Sequence, residues 1–411
     1  AYYTCTANAI SHPLITTVFS AMTTPIYFDN AATTSVDPQV LETMLPYFSA
    51  EFGNASSAHQ MGRRAKVAME DARDQIAELL GAEPSEIIFT SGGTESDNAI
   101  IKGVLQATRK KEIITSPLEH HAILHPAEFS KMGGCRVTYL QPGEDGIINA
   151  SQVRDAISED TAIVSLMHVN NETGGIQPIQ EIAAVCREKG VPFHSDTVQS
   201  TGKCPVQVDD LGVNALSISA HKIHGPKGIG ILYVRNGTPW LPYVQGGSQE
   251  RRRRGGTSNT CGVVGLAKAL ELALEHQEET HLRTKEMRTR LLNSIRETMA
   301  GHVKMNSPEQ EEHCVSNIVN LCFFDHEGRG FDGEMLLLNL DIEGICVSNG
   351  SACTSGAVEP SHVLKGLGLR DDLAKSSIRI SFSRYNTLDE VDYLLERLPR
   401  VVERMLAKSR S

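Results

Sequence analysis

Glu86-Ile-Ile-Phe-Thr-Ser-Gly-Gly-Thr-Glu-Ser-Asp-Asn98 passes from a short apolar run into small and polar residues and then into helix-forming sequence. Glu86 to Thr90 reads as a strand and Ser96 to Arg109 as a helix, with the glycines in the turn between them. Such a turn presents free backbone N–H groups at the positive end of a helix, where a phosphate can sit. A plain capped turn has the same signature. Neither G-x-G-x-x-G nor G-x-x-x-x-G-K-[ST] occurs in it, so a small phosphorylated cofactor is better supported than a nucleotide.

The flanking sequence repeats the alternation. Glu112 to Ser116, Arg136 to Leu140, Ala162 to Val169 and Val191 to Ser195 read as strands, Ile179 to Glu188 as a helix, and Ala215 to Ser219 with Gly230 to Arg235 as a strand pair. This is the pattern of an α/β unit with a mostly parallel sheet covered by helices. Val263 to about Ala300 reads as one long helix. Beyond it come strands at Ser316 to Phe324 and Ile378 to Phe382 and helices at Gly333 to Leu340 and Leu388 to Lys408, a smaller α+β unit. The expected division is a large domain over 35–270 and a small domain made of 22–34 with 271–411.

A chain of 411 residues, 40% hydrophobic, can bury more than one ordinary core. Its formal charge of −11 argues against direct nucleic-acid binding, which needs a basic face. Nine cysteines without a C-x-x-C pair or regular spacing suggest a reducing, cytoplasmic setting and no structural metal. The first 21 residues carry no Lys, Arg, Asp or Glu and no apolar run that could span a bilayer. Met22 reads as the native start, with residues 1–21 a disordered extension and no membrane partner.

Two further stretches carry chemistry. Val191 to Gln199 runs from a strand into a polar turn and puts Asp196 near the strand's C-terminal end, where open α/β sheets bind ligands. A carboxylate there can keep a pyridine nitrogen protonated, although an Asp so placed is also a common helix cap. Ser217 to Gly230 offers Lys222 and Lys227 among small residues and tight turns, the crowded setting in which a Schiff-base lysine loses its proton. The residues alone leave both lysines open.

Asp29-Asn-Ala-Ala-Thr-Thr, Thr90-Ser-Gly-Gly-Thr-Glu-Ser-Asp-Asn, Glu119-His, His168-Val-Asn-Asn-Glu-Thr-Gly, His194-Ser-Asp-Thr-Val-Gln, Ala220-His-Lys-Ile-His-Gly-Pro-Lys-Gly and Ser348-Asn-Gly-Ser-Ala-Cys-Thr-Ser-Gly follow in this order. Together they resemble the cysteine desulfurases from about residue 26 to the C-terminus, in particular the branch with a long cysteine loop that serves iron–sulfur cluster and thiolation pathways. The resemblance implies a fold-type I pyridoxal 5'-phosphate enzyme, a homodimer, with the cofactor on Lys222. It implies that Asp196 pairs with the ring nitrogen, Gln199 with the ring hydroxyl, and that His120 stacks on the ring. Thr94, Ser219 and His221 with the backbone of Gly93 would hold the phosphate, joined by Thr257 across the dimer. Asn171, also beside the cofactor, and Arg379 would hold the substrate carboxylate.

The implied reaction takes sulfur from L-cysteine onto Cys353, releasing alanine, with Lys222 and His120 moving protons and a sulfur-acceptor or iron–sulfur scaffold protein as the next partner. No metal is expected, beyond transient contact of Cys353 with a cluster. Cys346, in an apolar run, reads as structural. Two departures from the family pattern stand out. Asn349 replaces the usual second Ser of the loop, and Arg251 to Arg254 is denser than expected, either a solvated loop or a docking site for an acidic partner. A selenocysteine lyase or related fold-type I enzyme is the alternative, and an inactive scaffold a third reading.

Overall fold

The computed structural model describes residues 25–350 and 359–409. The expected extension at 1–21 and Cys353 lie outside these residues. Among the described residues twelve strands occur in chain order: β1 (Ile26–Tyr27), β2 (Ile87–Thr90), β3 (Glu112–Thr115), β4 (Arg136–Tyr139), β5 (Thr161–Ser165), β6 (Phe193–Asp196), β7 (Ala215–Ser219), β8 (Gly230–Val234), β9 (Val303–Met305), β10 (Ile318–Phe323), β11 (Ile345–Cys346) and β12 (Ser377–Ser381).

The main sheet has seven strands in the order β2-β8-β7-β6-β5-β3-β4. Only β8 runs against its neighbours, pairing antiparallel with both β2 and β7. The central strands are buried along their whole length, as a sheet covered on both faces requires. One core joins them to the helices Gln60–Leu80, Ile179–Lys189 and Thr260–Glu275. A second core lies against the other face under the helix Gly93–Thr108.

The remaining strands form a three-stranded antiparallel sheet, β12-β10-β9, and a parallel pair, β1-β11. Their core gathers Phe28, Leu291, Phe323, Leu336, Ile380 and Leu398. Phe28 comes from the start of the described chain, so the N-terminal strand closes a core otherwise built from the C-terminal third.

Two expectations change. The single helix from Val263 to Ala300 is two, Thr260–Glu275 and Gln277–Thr298, meeting at His276. The first buries Val263, Leu266 and Leu270 in the main core, whereas the second buries Met287, Leu291 and Ile295 in the small one. The break lets the chain change cores. The strand expected over Ala162 to Val169 ends at Ser165, because the next outward N–H, that of Met167, is taken by the Glu119 carboxylate.

Candidate active site

The C-terminal ends of β2, β6 and β7 share one edge of the main sheet, and a cavity of about 420 Å³ opens there. Gly92 sits at φ +146°, a conformation open to glycine, and turns the chain from β2 into the helix Gly93–Thr108. A Cβ on Gly93 would stand 2.8 Å from the Val198 side chain, so only glycine lets the two turns approach this closely. The helix begins three residues before the sequence suggests, which puts Thr94 in its first turn and on the cavity wall. Glu95, an acid at the same positive end, is neutralised by Arg254 through contacts of 2.8 and 3.0 Å.

At the end of β6, Asp196 accepts the Val198 N–H at 2.9 Å. Buried with it is Asp97, on the helix behind. Burial and the Asp196 charge push the Asp97 carboxyl well up from the usual carboxylate range. Burial raises Asp196 as well, to about 6, but the Val198 N–H and the Lys222 ammonium oppose the rise, so of the two it is the carboxyl that more readily keeps the negative charge. His194 lies beneath, its Nδ1 at 2.9 Å from Ser165 Oγ and Nε2 at 3.0 Å from Ser217 Oγ, and burial holds it neutral at a pKa of about 3.

Lys222 follows β7 in a short 3-10 turn. Its Nζ donates to the carbonyls of Ala31 and Ala32 at 2.5 and 2.7 Å. Burial first, then the neighbouring Arg379 and Lys203 cations, bring the amine down to about 7. Lys227 is exposed and does not line the cavity, so geometry separates two lysines that their local sequence leaves equivalent. His120 caps the helix His121–Ser130, its Nδ1 accepting the Ala122 N–H at 3.1 Å. Burial and Lys222 lower it to about 4, so the ring is neutral at pH 7 with its proton on Nε2.

Arg379, on β12, reaches the cavity from the small sheet. Its Nη2 pairs with Asp29 at 2.8 Å and its Nη1 donates to the Asn171 carbonyl at 2.9 Å. Buried side-chain atoms without partners cluster here: Nε of Arg379, Oδ1 of Asn171 and Oε1 of Gln199. Gly93, Thr94, His120, Asn171, Asp196, Gln199, Ser219, His221, Lys222 and Arg379 all line this one cavity. Thr257 is exposed on a loop away from it. Cys353 lies outside the described residues, but Ser348 and Gly350 before it and His362 after it line the same wall.

Several wall residues had no role in the sequence reading. Glu172 is buried and accepts the Ser361 hydroxyl at 2.5 Å. The His121 and His362 rings stand 4.4 Å apart. Asp97 and Glu172 lie inside the quoted motifs, and His121 adjoins His120, so position in a motif was the available signal. His362 had none. The Arg251 to Arg254 run is largely consumed internally: Arg251 bonds Glu70 and the Pro84 carbonyl, Arg253 the Ser85 carbonyl, and Arg254 Glu95. Cys346 pairs with Tyr27 in β11, half-buried, and burial raises its thiol.

This fold and cavity define a class. The aminotransferase class-V profile matches residues 26–394, and the chain belongs to that family and, within it, to the cysteine desulfurases. It is 44% identical over 384 residues to "Cysteine desulfurase IscS" of Clostridium botulinum, covering 93% of this chain and 95% of that one. A solved "NIFS-LIKE PROTEIN" superposes with a TM-score of 0.84 at 38% identity, over 92% of this chain and 99% of its own. Another, "SspA in complex with cysteine", gives 0.75 at 38% identity over 88% and 100%. The architecture is fold type I and the cofactor is pyridoxal 5'-phosphate. The relatives bear the desulfurase name, not that of a selenocysteine lyase. The residues present fit the cofactor: a glycine turn at a helix N-terminus, a buried carboxylate at a strand end, an unpartnered Gln199 oxygen and a lysine of lowered pKa face one space.

Proposed function

We propose that this enzyme takes the sulfur of free L-cysteine onto its own Cys353 as a persulfide, releases L-alanine, and hands the sulfur to an acceptor or iron–sulfur scaffold protein. What supports this most is that Lys222, Asp196, His120 and Arg379 meet in one cavity with Gly350 and His362, from the two flanks of the segment that carries Cys353.

Pyridoxal phosphate, when bound, supplies an electron sink at the substrate Cα. Gly93, Thr94, Ser219 and His221 hold its phosphate, with Thr257 of the partner subunit. Asp196 keeps its ring nitrogen protonated, Gln199 meets the ring hydroxyl, His120 covers the ring face and Lys222 anchors it. Arg379 offers its planar fork to the substrate carboxylate, with Asn171 beside it. The Lys222 amine, with a pKa of about 7, is partly neutral near pH 7 and takes the Cα proton onto Nζ. Cys353, ionised in part because an ordinary thiol has a pKa of about 8.5, attacks the substrate sulfur. The S–S bond forms and the Cβ–S bond breaks. The electron pair left on the carbon skeleton takes a proton to give alanine. His120 exchanges protons with the thiols through Nε2, since its Nδ1 is engaged.

The same reading places the domain division at 35–270 against 22–34 with 271–411, pairs two chains as a homodimer, and puts the enzyme in the cytoplasm. Among the described residues no helix is long and apolar enough to cross a membrane. Brief exposure to L-cysteine should add one sulfur to the Cys353 peptide by mass spectrometry, removable by a thiol reductant, with alanine formed alongside. Sulfur found on Cys346 instead, in an enzyme still making alanine, would overturn the proposal.

A further inference from the structure

Lys222 forms a partition. It lines the active-site cavity and also a second, smaller cavity of about 50 Å³ between the main sheet and the small one, with the exposed His281 on its rim. Into that rear cavity comes Lys203, from the turn after β6, its Nζ at 3.4 Å from the Lys222 carbonyl oxygen. The residue is half-buried, and so is its contact with the Lys222 carbonyl. Among the described residues no carboxylate stands within ion-pair distance of it, whereas Arg384 in the same cavity is paired with Asp37. The Asn317 Oδ1, also on the cavity wall, is buried and has no partner.

An ammonium drawn partly out of water without a counter-ion is costly, and a site that keeps one spends stability on its field. We propose that Lys203 is a positioning residue for the desulfurase reaction, an uncompensated cation held behind Lys222 to favour the neutral form of the Lys222 nitrogen. A lysine beside a second cation is one of the general ways in which an amine is activated. Burial brings Lys203 itself to about 8, so it is charged at pH 7.

The groups facing Lys222 are Arg379, Lys203, Asp29 and Asp196, with His120 and His221 alongside. Those facing Lys203 are Lys222, Cys204, His221 and His224, with His281 and Arg384 on the cavity wall. Arg379 acts on Lys222 more strongly, but it is paired with Asp29 and would meet the substrate carboxylate, which offsets its charge once substrate binds. Lys203 stands on the side that substrate does not reach. Its field persists through turnover.

The inference rests on the reading of Lys222 as the cofactor's lysine. The test is the pH midpoint of the visible absorbance of full-length, cofactor-loaded enzyme between pH 6 and 10, which reports protonation of the nitrogen that Lys222 contributes. Lys203→Met should raise the midpoint by about one unit, a tenfold change in the protonation equilibrium, and Lys203→Arg should leave it in place. Asn317→Asp, which adds a carboxylate to the rear cavity and leaves Lys203 intact, should also raise it, so the idea stays testable if Lys203→Met fails to load. An unmoved midpoint in Lys203→Met or Asn317→Asp, or an equal rise in Lys203→Arg, would overturn the proposal. If Lys222→Ala kept the visible band, the underlying reading would have failed instead.

Discussion

Two of the places where the molecule holds positive charge away from bulk water treat it in opposite ways. Near the start of β2, Arg73 meets Glu250 through two contacts of 2.9 Å, with side chains only 3% and 5% exposed. Glu250 also accepts the Phe89 N–H, and the pair holds a segment in which Glu250, Arg251 and Arg252 lie at φ +46°, +56° and +66°. Three left-handed residues in a row cost about 1 kcal/mol or more each, so something must fix them. Beside the active site, Lys222 and Lys203 have carbonyl oxygens but no carboxylate at ion-pair distance among the described residues. Partners raise the Arg73 pKa, while burial lowers both lysines. A paired buried charge fixes shape, and an unpaired one is available to react.

The comparison is broken most severely at Lys222. Lys222→Ala should abolish the visible cofactor absorbance and all alanine formation while thermal unfolding stays cooperative. Full activity in this variant, with its loss in Lys227→Ala, would move the reactive amine to a residue outside the cavity. Cys353→Ser should come next. It should keep the cofactor band, because Lys222, Asp196 and Arg379 are untouched, yet lose steady alanine release by several orders of magnitude, towards the roughly millionfold loss that removal of a protease nucleophile causes. Near-normal turnover would deny Cys353 a role.

Changes to the paired charge should reverse the pattern. Glu250→Gln takes away the buried partner of the Arg73 guanidinium, leaving it the exposed Glu70 at 3.4 Å and the Ile87 carbonyl, and should lower unfolding stability by about 3 kcal/mol, read as a shift in urea midpoint. The folded fraction should keep its cofactor band. The double variant with Arg73→Met should recover part of the loss, because no lone charge then remains. A Glu250→Gln urea midpoint like that of the wild type would place the strain relief elsewhere. For the unpaired charge the effect depends on pH. Lys203 has a folded pKa near 8 against an ordinary 10.5, so between these values the unfolded chain binds more protons. Stability from this residue therefore rises with pH across that window, and Lys203→Met should flatten the rise. An equally steep rise in the variant would assign it to other groups.

The main sheet was legible because strand, turn and helix each carry a distinct local pattern, and the glycine turn, Asp196 and the two candidate lysines because they fall in turns at strand ends, whereas His120, Asn171, Gln199 and Arg379 came only through the family resemblance. Charge partnership was not. Glu250 and Arg73 are 177 positions apart, and nothing near either names the other. Lys203 lies four residues beyond the quoted Gln199 and reads as an ordinary surface lysine until the fold places it behind Lys222. The break at His276 escaped for a related reason: each half of the apparent helix has its own buried stripe, and only the two cores show that the stripes face different ways. His362 belongs to no stretch with a recognisable pattern, and reaches the wall only because Ser361 caps its helix and bonds Glu172.

The mildest test holds pair geometry nearly constant and changes only the solvent. Arg290 on the helix Gln277–Thr298 meets Asp392 on the helix Leu388–Ser409 through two contacts of 2.6 Å, two-pronged like Arg73 with Glu250 though through Nε and Nη2 rather than Nη1 and Nη2, and with side chains 48% and 44% exposed. Water screens the attraction and already solvates each group, so little is lost when either partner is removed. A double-mutant cycle with Arg290→Ala and Asp392→Ala should give a coupling below about 1 kcal/mol, falling towards zero in about 1 M salt, where the screening length is only about 3 Å. Alanine formation should be unchanged in all three variants. If the exposed pair instead coupled as strongly as the buried one, contact geometry rather than desolvation would set the difference between the molecule's paired and unpaired charges, and the argument from burial at Lys222 would lose its basis.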